Sequence, residues 1–558
     1  MQSIARYRQS VIRDLLAGAT GAVAGAPQAM GFALIAGISP VYGLYTAIVS
    51  TIVAGLTSSS SMLTVGPTNA LSLVVASTLF GFDESGQIER LIVLTFLVGV
   101  FQLAFGVLKL GTLTRFVSNA VMTGFISGAG LLIIFGQLDH LIGYESHGRT
   151  VLENLWDWLT HLGEAEPRTA FLGIGAAVMI WALHHTRLKS VSTLIAIGVT
   201  SAIVILLDWT QVATVRDIAV IPSGLPAFTP PDVLEYGQSL LPAALAMAVL
   251  GSVQSAAITQ NVPERDGTRS NTNRDFAAQG LGNIAGAFFQ GMPACGSLSR
   301  TAVNVSAGAQ TRLANIYAGV LIAAMLVAFG TVIEQITLAA LAGHLVVAAA
   351  SLIRVEQIRE VWNVNASARA AMVVTFLATL LLPLEYSIYV GVALSLSLYV
   401  YTSAVNIKVT HLKPVDTHTH MFQESTIPTE LPANQLVVFS IYGHLYFAAV
   451  DHLEKSLPDP TTGQRTVVIL RMRHNQYLGT TGIRFLRRYA EKLRANGGKL
   501  LLSGVGPDLR AELERTGALQ YFGAENIFYA REIVFSATED AIHYAQTWLG
   551  QSDLEPTV

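Results

Sequence analysis

A long series of apolar runs constrains the fold of this chain more than any other feature of its sequence. About 20 apolar residues are enough for a helix to cross the ~30 Å hydrocarbon core of a bilayer. Fourteen candidate spans follow one another in the first 405 residues: 13–35, 40–57, 67–80, 91–108, 116–137, 169–185, 190–208, 237–260, 276–290, 297–309, 313–331, 333–350, 367–383 and 385–404. The sequence therefore predicts an α-helical polytopic membrane protein whose main partner is the lipid bilayer.

The composition agrees with this class and excludes several others. Charged residues make up 13% of the chain, against about 25% in a typical soluble domain. The formal net charge of -3 provides no basic field for nucleic acid. The single cysteine, Cys295, excludes an intrachain disulfide framework and a cysteine metal cluster. No phosphate-binding loop, zinc motif or nucleophile triad is found, so we expect no metal, no cofactor and no enzymatic activity.

The distribution of basic residues predicts the orientation of the spans. With a cytoplasmic N-terminus, the outer segments carry only Arg90, Arg149, Arg168 and Arg216. The inner segments then carry Arg6, Arg8, Arg13, Lys109, Arg115, Arg187, Lys189, Arg265, Arg269, Arg274, Arg312, Arg354, Arg359 and Arg369. Because lysine and arginine accumulate on the cytoplasmic side, we expect a multi-pass protein of the cell membrane with both termini in the cytoplasm.

Two of the short spans occupy corresponding positions, seven spans apart. Residues 64–72 contain a Gly-Pro break followed by a helix of small residues, and residues 296–301 are the counterpart of this segment. Such a pair of interrupted segments is typical of an inverted-repeat transporter with its site near the bilayer midplane. Both helix N-termini would then face one anion, and Arg300 adds a full positive charge at a depth where charges are expensive and usually functional.

These segments resemble motifs of the sulfate permease family, also called solute carrier family 26, of anion transporters. Residues 27–33, PQAMGFA, and 40–45, PVYGLY, are similar to its first-span signature. Val65-Gly66-Pro67 resembles its third span. Residues 297–304, SLSRTAVN, and 308–311, GAQT, are similar to its tenth-span pattern. The resemblance extends over essentially the whole chain.

The resemblance implies a fold of fourteen spans in two inverted seven-span repeats. It implies a core domain of spans 1–4 and 8–11 that moves against a gate domain of spans 5–7 and 12–14, in elevator-like alternating access, and a homodimer. It places the anion between the starts of spans 3 and 10, with span 1 beside them. The implied substrate-binding residues are Gln28, Phe32, Thr68, Asn69, Ser297, Ser299 and Arg300.

A structural role is the alternative for several of these residues. Arg300 would pin span 8 or the backbone of span 3, and Gln28 would satisfy a broken helix. Phe32, an aromatic side chain in an apolar span, would be packing. Thr68, Ser297 and Ser299 are suitable caps for their own helices, a role that is compatible with anion binding.

One departure from the family pattern bears on the mechanism. Many members carry a carboxylate before a serine in span 8, where this chain has Gln254 before Ser255. A glutamine neither binds a proton at physiological pH nor supplies the negative charge of a sodium site. We therefore expect exchange or uncoupled uptake of a small anion, such as sulfate, bicarbonate, chloride or a dicarboxylate. The alternatives are a proton- or sodium-coupled symporter, an anion channel or voltage-responsive member, and a nucleobase permease, which the SLSR segment disfavours.

The composition changes after residue 405. Residues 1–405 are predicted to form the transmembrane domain, residues 406–435 a polar linker, and residues 436–558 a small cytoplasmic α/β domain of alternating strands and helices. The tail resembles the sulfate transporter and anti-sigma antagonist (STAS) domain. Its segment Gly479-Thr480-Thr481-Gly482 replaces the family's Asp-Ser-Ser/Thr-Gly; Thr480 is thus either a phosphorylation site or part of a helix cap.

Overall fold

The computed structural model describes residues 2–550, except 112–117, 145, 148–150, 187, 189–190, 219–220, 222–223, 263, 265–266, 417–420 and 444. The chain divides into two compact units, Met1–Ser395 and Leu396–Val558. Five basic residues used for the orientation, Arg115, Arg149, Arg187, Lys189 and Arg265, lie outside the described residues. The orientation therefore stays a prediction.

The first unit is helical apart from two very short strands. Its strands are β1, Val65–Gly66, and β2, Cys295–Gly296. Its helices are α1 Gln2–Ile35, α2 Pro40–Thr57, α3 Asn69–Leu79, α4 Glu84–Val107, α5 Asn119–Gly136, α6 Leu138–Ile142, α7 Val151–Thr160, α8 Pro167–His184, α9 Ser192–Leu206, α10 Val215–Ile218, α11 Val233–Asn261, α12 Thr272–Phe288, α13 Leu298–Ser306, α14 Leu313–Glu334, α15 Leu338–Ala350, α16 Val355–Val364, α17 Ala366–Leu381 and α18 Leu384–Val405. The boundary between the two units falls within α18.

A helix is found at each of the fourteen predicted spans. In the described part of the chain, seven segments are helical, long and apolar enough to cross a membrane: Pro40–Thr57, Ser85–Val107, Asn119–Ile142, Val233–Gln260, Leu313–Glu334, Leu338–Val364 and Tyr386–Val405. Of the three segments predicted to be short, 67–80 and 297–309 form short helices, since α3 has 11 residues and α13 has 9, whereas 276–290 lies in α12, which has 17. At 1.5 Å per residue, neither α3 nor α13 reaches across a bilayer alone.

Sequence signals at the helix starts explain where several helices begin. Pro40 occupies the first turn of α2, where its missing N–H costs no hydrogen bond, and the side chain of Ser39 caps that helix. Ser118 caps α5 in the same way. Two helices that the span pattern did not predict, α7 and α16, are amphipathic and short. Their mixed composition is why a search for apolar runs misses them.

Glycine allows the helices of this unit to approach closely. A Cβ added at Gly43 of α2 would lie 2.0 Å from the carbonyl oxygen of Ala29 in α1. A Cβ at Gly280 of α12 would lie 2.4 Å from the backbone nitrogen of Leu103 in α4. In lipid, where no hydrophobic force drives helices together, such close backbone packing is a main source of helix association.

The second unit is an α/β fold built on one six-stranded sheet. Its strands are β3 Lys408–Asp416, β4 Met421–Ser425, β5 Leu436–Tyr442, β6 Val467–Arg471, β7 Lys499–Val505 and β8 Ile527–Tyr529. Its helices are α19 Val450–Ser456, α20 Gly479–Ala495, α21 Pro507–Arg515, α22 Ala518–Phe522 and α23 Ser536–Leu549. The sheet order is β4-β3-β5-β6-β7-β8, in which β5 to β8 run parallel and β3 is antiparallel to both of its neighbours.

Both faces of the parallel strands are covered. Phe439, Val468 and Leu502 pack against residues of α19 to α22 on one face, and Val438, Ile469 and Leu501 pack against α23 on the other. This two-sided burial explains why β5, β6 and β7 read as continuous apolar runs. The alternation of strands and helices predicted from residue 436 onward is observed, except that the strand-like run at 445–447 forms no strand and that α22 was not predicted.

The predicted linker over 406–435 is wrong where β3 and β4 form. These strands lie at the edge of the sheet, where polar side chains reach solvent, so their composition resembles that of a loop. His411 of β3 packs against Phe439. Its Nδ1 forms a hydrogen bond with Oγ of Ser425 at 3.1 Å. The other two histidines of this segment, His418 and His420, lie outside the described residues.

The glycine packing predicts a difference between two alanine substitutions. Gly43→Ala is expected to destabilise the protein by about 1–3 kcal/mol, because the new methyl group overlaps the backbone of α1. Gly198→Ala in α9 is the matched control, since no atom lies within 4 Å of the added Cβ and alanine favours a helix. Thermal unfolding of the detergent-purified variants measures both, and equal midpoints for the two would contradict this packing.

Candidate functional site

The two short strands bring the starts of α3 and α13 together. β1 pairs with β2 in antiparallel register, with Val65 opposite Gly296 and Gly66 opposite Cys295. Just beyond the pair, the backbone N–H of Ser297 donates to the carbonyl of Thr64 at 2.9 Å. We refer to the β1–β2 pair as the ladder. Each strand leads directly into its helix, and the two strands run in opposite directions. The two helices therefore have neighbouring N-termini and extend from the ladder in opposite directions.

The side chain of Arg300 lies along this ladder. It is 6% exposed, and its Nη2 donates to the carbonyl of Pro67, immediately before α3, at 3.0 Å. A Cβ at Gly66 would lie 2.0 Å from Nη1 of Arg300, so the guanidinium fits only because position 66 has no side chain. Buried Nε of Arg300 has no hydrogen-bond partner. In the described part of the chain, no carboxylate forms an ion pair with this arginine.

Hydroxyl groups surround the start of α13. Ser297 is the N-cap, and its Oγ accepts from the backbone N–H of Arg300 at 3.4 Å. The Oγ atoms of Ser297 and Ser299 are 3.3 Å apart; Ser297 is buried and Ser299 is exposed. One serine therefore caps the helix while the other presents its hydroxyl at the surface of the unit.

A second chain of polar contacts joins α3 to α11. Thr68, the N-cap of α3, makes no side-chain capping bond and instead lies with its Oγ1 3.4 Å from Sγ of Cys295. The thiol donates to Oε1 of Gln254 at 3.6 Å. Gln254 therefore contributes a neutral acceptor to this chain of contacts.

The remaining predicted residues are placed around the ladder with different roles. Gln28 lines a crevice together with Arg300, Thr64 and Asn315, and its buried Oε1 has no hydrogen-bond partner. Phe32 is buried in the same apolar cluster as Leu71 of α3 and Leu345 of α15. Asn69 is half-buried, and its Oδ1 accepts from the N–H of Ala70 at 2.9 Å.

A buried polar network that the sequence did not predict fixes the lead-in to α13. Asn283 of α12 bonds both backbone groups of Ala294: Nδ2 donates to the carbonyl at 2.8 Å and Oδ1 accepts from the N–H at 2.7 Å. The same amide nitrogen donates to Oε1 of Gln102 at 2.8 Å. Ser255 of α11 accepts from the N–H of Gly296 at 2.8 Å. In the sequence, such a network is indicated by isolated amide and hydroxyl residues within apolar spans.

The lead-in to α3 is fixed by the opposite half of the chain. The hydroxyl of Thr301 accepts from the N–H of Thr64 at 3.1 Å. Asn315 of α14 donates to the carbonyl of Leu63 at 3.0 Å and accepts from the hydroxyl of Thr64 at 2.7 Å. Thr51 of α2 donates to the carbonyl of Val65 at 2.7 Å. The backbone of both lead-ins is thus satisfied inside the protein, as membrane depth requires.

These contacts create an environment suited to an anion. Two helix N-termini carry partial positive charge, and a guanidinium carries a full one. The described residues around the ladder contribute hydroxyls and neutral amides, whereas no carboxylate pairs with the arginine. A buried positive charge without a counter-charge is costly, and an anion held by the N–H and hydroxyl donors would remove that cost.

The STAS-like segment has a simpler explanation than modification. Thr480 is exposed in the first turn of α20. The N–H groups of Leu478 and Gly479, at the start of that helix, donate to the carboxylate of Glu512 at 2.8 and 2.9 Å. Glu512 therefore provides the capping that the sequence assigned to Thr480 or Thr481.

Comparison with known proteins defines the class. Residues 11–375 match the model of the sulfate permease family, and residues 429–533 match the STAS domain. The chain is 26% identical over 563 residues to the probable sulfate transporter 4.2 of Arabidopsis thaliana, covering 97% of this chain and 82% of that protein. It is 28% identical over 428 residues to the sodium-independent sulfate anion transporter of Bos taurus, covering 70% of each.

The fold matches as well. The solved structure of SLC26A9 superimposes with a TM-score of 0.85 at 19% identity, covering 97% of this chain and 91% of that one. The match extends over both units, so the chain has a helical, multi-pass transmembrane fold followed by a STAS domain. The chain belongs to the sulfate permease family.

The contact between Gly66 and Arg300 predicts a coupled effect on stability. Gly66→Ala alone is expected to destabilise the protein, because the added methyl group overlaps the guanidinium. In the Arg300→Ala background the added methyl group no longer overlaps a guanidinium, so the same substitution is expected to lower the free energy of unfolding by less. The expected coupling free energy is about 0.5–3 kcal/mol. A double-mutant cycle of thermal or denaturant midpoints measures it, and strictly additive effects would contradict the placement of Arg300.

Proposed function

We propose that this protein is a secondary transporter of small inorganic or carboxylate anions, and that it works by elevator-like alternating access. The observation that carries the proposal is the buried guanidinium of Arg300, held without an ion-paired carboxylate among the described residues, beside two neighbouring helix N-termini. Family membership and relatives that are named as sulfate transporters support it. They also support a transport role over an enzymatic one.

The proposed site comprises the ladder and its surroundings. Arg300, the N-termini of α3 and α13, and the hydroxyls of Thr68, Ser297 and Ser299 would supply positive charge and donors. Gln28 would donate its side-chain N–H, Asn69 would complete the start of α3, and Phe32 would form an apolar wall. An anion that leaves its hydration shell must recover donors from the protein, and this site is rich in them.

The proposed architecture has fourteen spans in two inverted seven-span repeats. The short antiparallel ladder between corresponding segments supports this, since a repeat of odd span number reverses direction in the membrane. In this scheme spans 1–4 and 8–11 carry the site and move against spans 5–7 and 12–14. We further propose a homodimer in the cell membrane with both termini in the cytoplasm; the excess of basic residues in the inner segments supports that orientation.

Exchange or uncoupled uptake is the proposed mode. The thiol of Cys295 donates to Gln254, so a neutral amide stands where a coupling acid would be needed. One relative is named as a sodium-independent sulfate anion transporter, which points the same way. Proton- or sodium-coupled symport and channel-like conduction are the alternative modes. Sulfate is the first substrate to test, followed by bicarbonate, chloride and dicarboxylates.

Removal of the guanidinium is expected to weaken anion binding. Loss of a charge-assisted hydrogen bond costs about 1.5–3 kcal/mol, so Arg300→Gln should weaken sulfate binding at least about tenfold. Arg300→Lys, which keeps the charge but not the planar donors, should lie in between. Radiolabelled sulfate binding to the purified protein measures this.

The matched control for this experiment is Arg354→Gln, because Arg354 is exposed. It should leave sulfate binding unchanged. Folding of each variant is checked by its elution profile and unfolding midpoint. If Arg300→Gln binds every tested anion as tightly as the unmodified protein does, Arg300 is not part of the anion-binding site.

Transport in liposomes tests the proposed mode. Imposed proton or sodium gradients should not drive sulfate above its equilibrium level, whereas sulfate on the opposite side should accelerate uptake by exchange. Gln254→Glu should lower sulfate affinity at neutral pH, because it adds a negative charge beside the anion. Affinity should recover on acidification as the new carboxyl is neutralised. Uphill accumulation driven by either cation in the unmodified protein would establish symport instead.

A further inference from the structure

A second buried arginine lies in the C-terminal unit, far along the sequence from the ladder. Arg471 ends β6 and is 2% exposed. Its Nη1 donates to Oγ of Ser440 in β5 and to Nε2 of His474, both at 3.3 Å. Its Cζ lies 4.5 Å from the centre of the Phe535 ring. The buried Nε has no hydrogen-bond partner.

None of the contacts of Arg471 neutralises its charge. Serine and phenylalanine are uncharged, and His474 has its pKa lowered by burial and by the nearby Arg471 and Arg473, so its imidazole is neutral at physiological pH. Within the described residues, no carboxylate forms an ion pair with Arg471. Burial also lowers the pKa of Arg471 itself, which expresses the cost of holding this charge away from water.

The guanidinium faces the start of a helix. Phe535, whose ring it stacks on, directly precedes α23, a helix of 14 residues whose N-cap makes no side-chain hydrogen bond. Beside it, Oγ of Ser503 at the end of β7 lies 3.3 Å from Oγ1 of Thr538 in the first turn of α23. A full positive charge, the positive end of a helix and three hydroxyl groups therefore converge at one place.

This place is also where open α/β sheets bind ligands. β5, β6 and β7 run parallel, and Ser440, Arg471 and Ser503 are matched in register near their carboxyl ends. Ligands of such sheets bind beyond the carboxyl ends of the strands. His474 is exposed while its Nε2 contacts Arg471, so the guanidinium lies next to a side chain that reaches solvent.

We propose that this region is a binding site for a doubly charged tetrahedral oxyanion, either free sulfate or phosphate or a phosphate monoester. Arg471 supplies charge and planar donors, Ser440, Ser503 and Thr538 supply hydroxyls, and α23 supplies the positive end of its helix dipole. Tetrahedral oxyanions match this combination because their oxygens accept several hydrogen bonds at once. The site is separate from the ladder around Arg300 and does not rest on the proposed transport function.

Hydrogen–deuterium exchange of the full-length protein, read by mass spectrometry, tests the proposal locally. Sulfate or phosphate should slow exchange in peptides that cover residues 436–443 and 533–541, and chloride at the same ionic strength should not. Titration gives the affinity, and separate arms with sulfate, inorganic phosphate and a nucleoside monophosphate identify the preferred source of the oxyanion. Absence of protection with all three would overturn the proposal.

Variants assign the effect to the buried arginine. Arg471→Gln should weaken the protection at least about tenfold in affinity, while Arg473→Gln, a neighbouring arginine that donates to the Arg531 carbonyl, should leave it nearly unchanged. Arg300→Gln should also leave it unchanged, which separates this site from the transport site. Ser440→Ala and Thr538→Val keep the arginine and should weaken binding, so a folding defect in Arg471→Gln does not decide the outcome. Unchanged protection in Arg471→Gln and in both of these variants would overturn the proposal.

Discussion

The antiparallel pairing of two two-residue strands is the constraint on which the membrane unit depends. β1 and β2 exchange backbone hydrogen bonds in the interior of the unit, where all four of their residues are buried, and each leads into a helix too short to cross a bilayer. Arg300 reinforces the pairing by donating to the carbonyl of Pro67. Backbone pairing therefore holds the two helix starts next to each other.

The polar residues around the ladder act as a frame for it. Asn283, Asn315, Thr51 and Ser255 each satisfy a backbone group of a lead-in. Such bonds leave few backbone groups of the lead-ins in need of water, which is what the proposed anion site at the helix starts requires. A site of this kind is preorganised, and a ligand does not have to order the groups that bind it.

Much of this arrangement is predictable from sequence because its signals are local. The Gly-Pro break at Gly66 and Pro67, the SLSR segment and the apolar runs predict the short helices and their relation, and the alternation of elements after residue 436 predicts the α/β unit. The linker prediction failed at β3 and at the edge strand β4 because their polar, partly exposed side chains give them the composition of a loop. Arg471 and Asn283 were missed for another reason: their roles come from contacts between residues distant in the chain, which no local pattern reports.

The partners in the ladder are separated by most of the membrane unit, since Arg300 and Pro67 are 233 residues apart. Chains are made from the N-terminus onward, so β1 enters the bilayer long before β2 exists to pair with it. During that interval the carbonyl of Val65 can already bond to Thr51, but the backbone groups of residues 64–68 that pair with the second half must be shielded by neighbouring helices, bound water or an insertion factor. The first half of this protein therefore cannot reach its final structure until the second half has been synthesised.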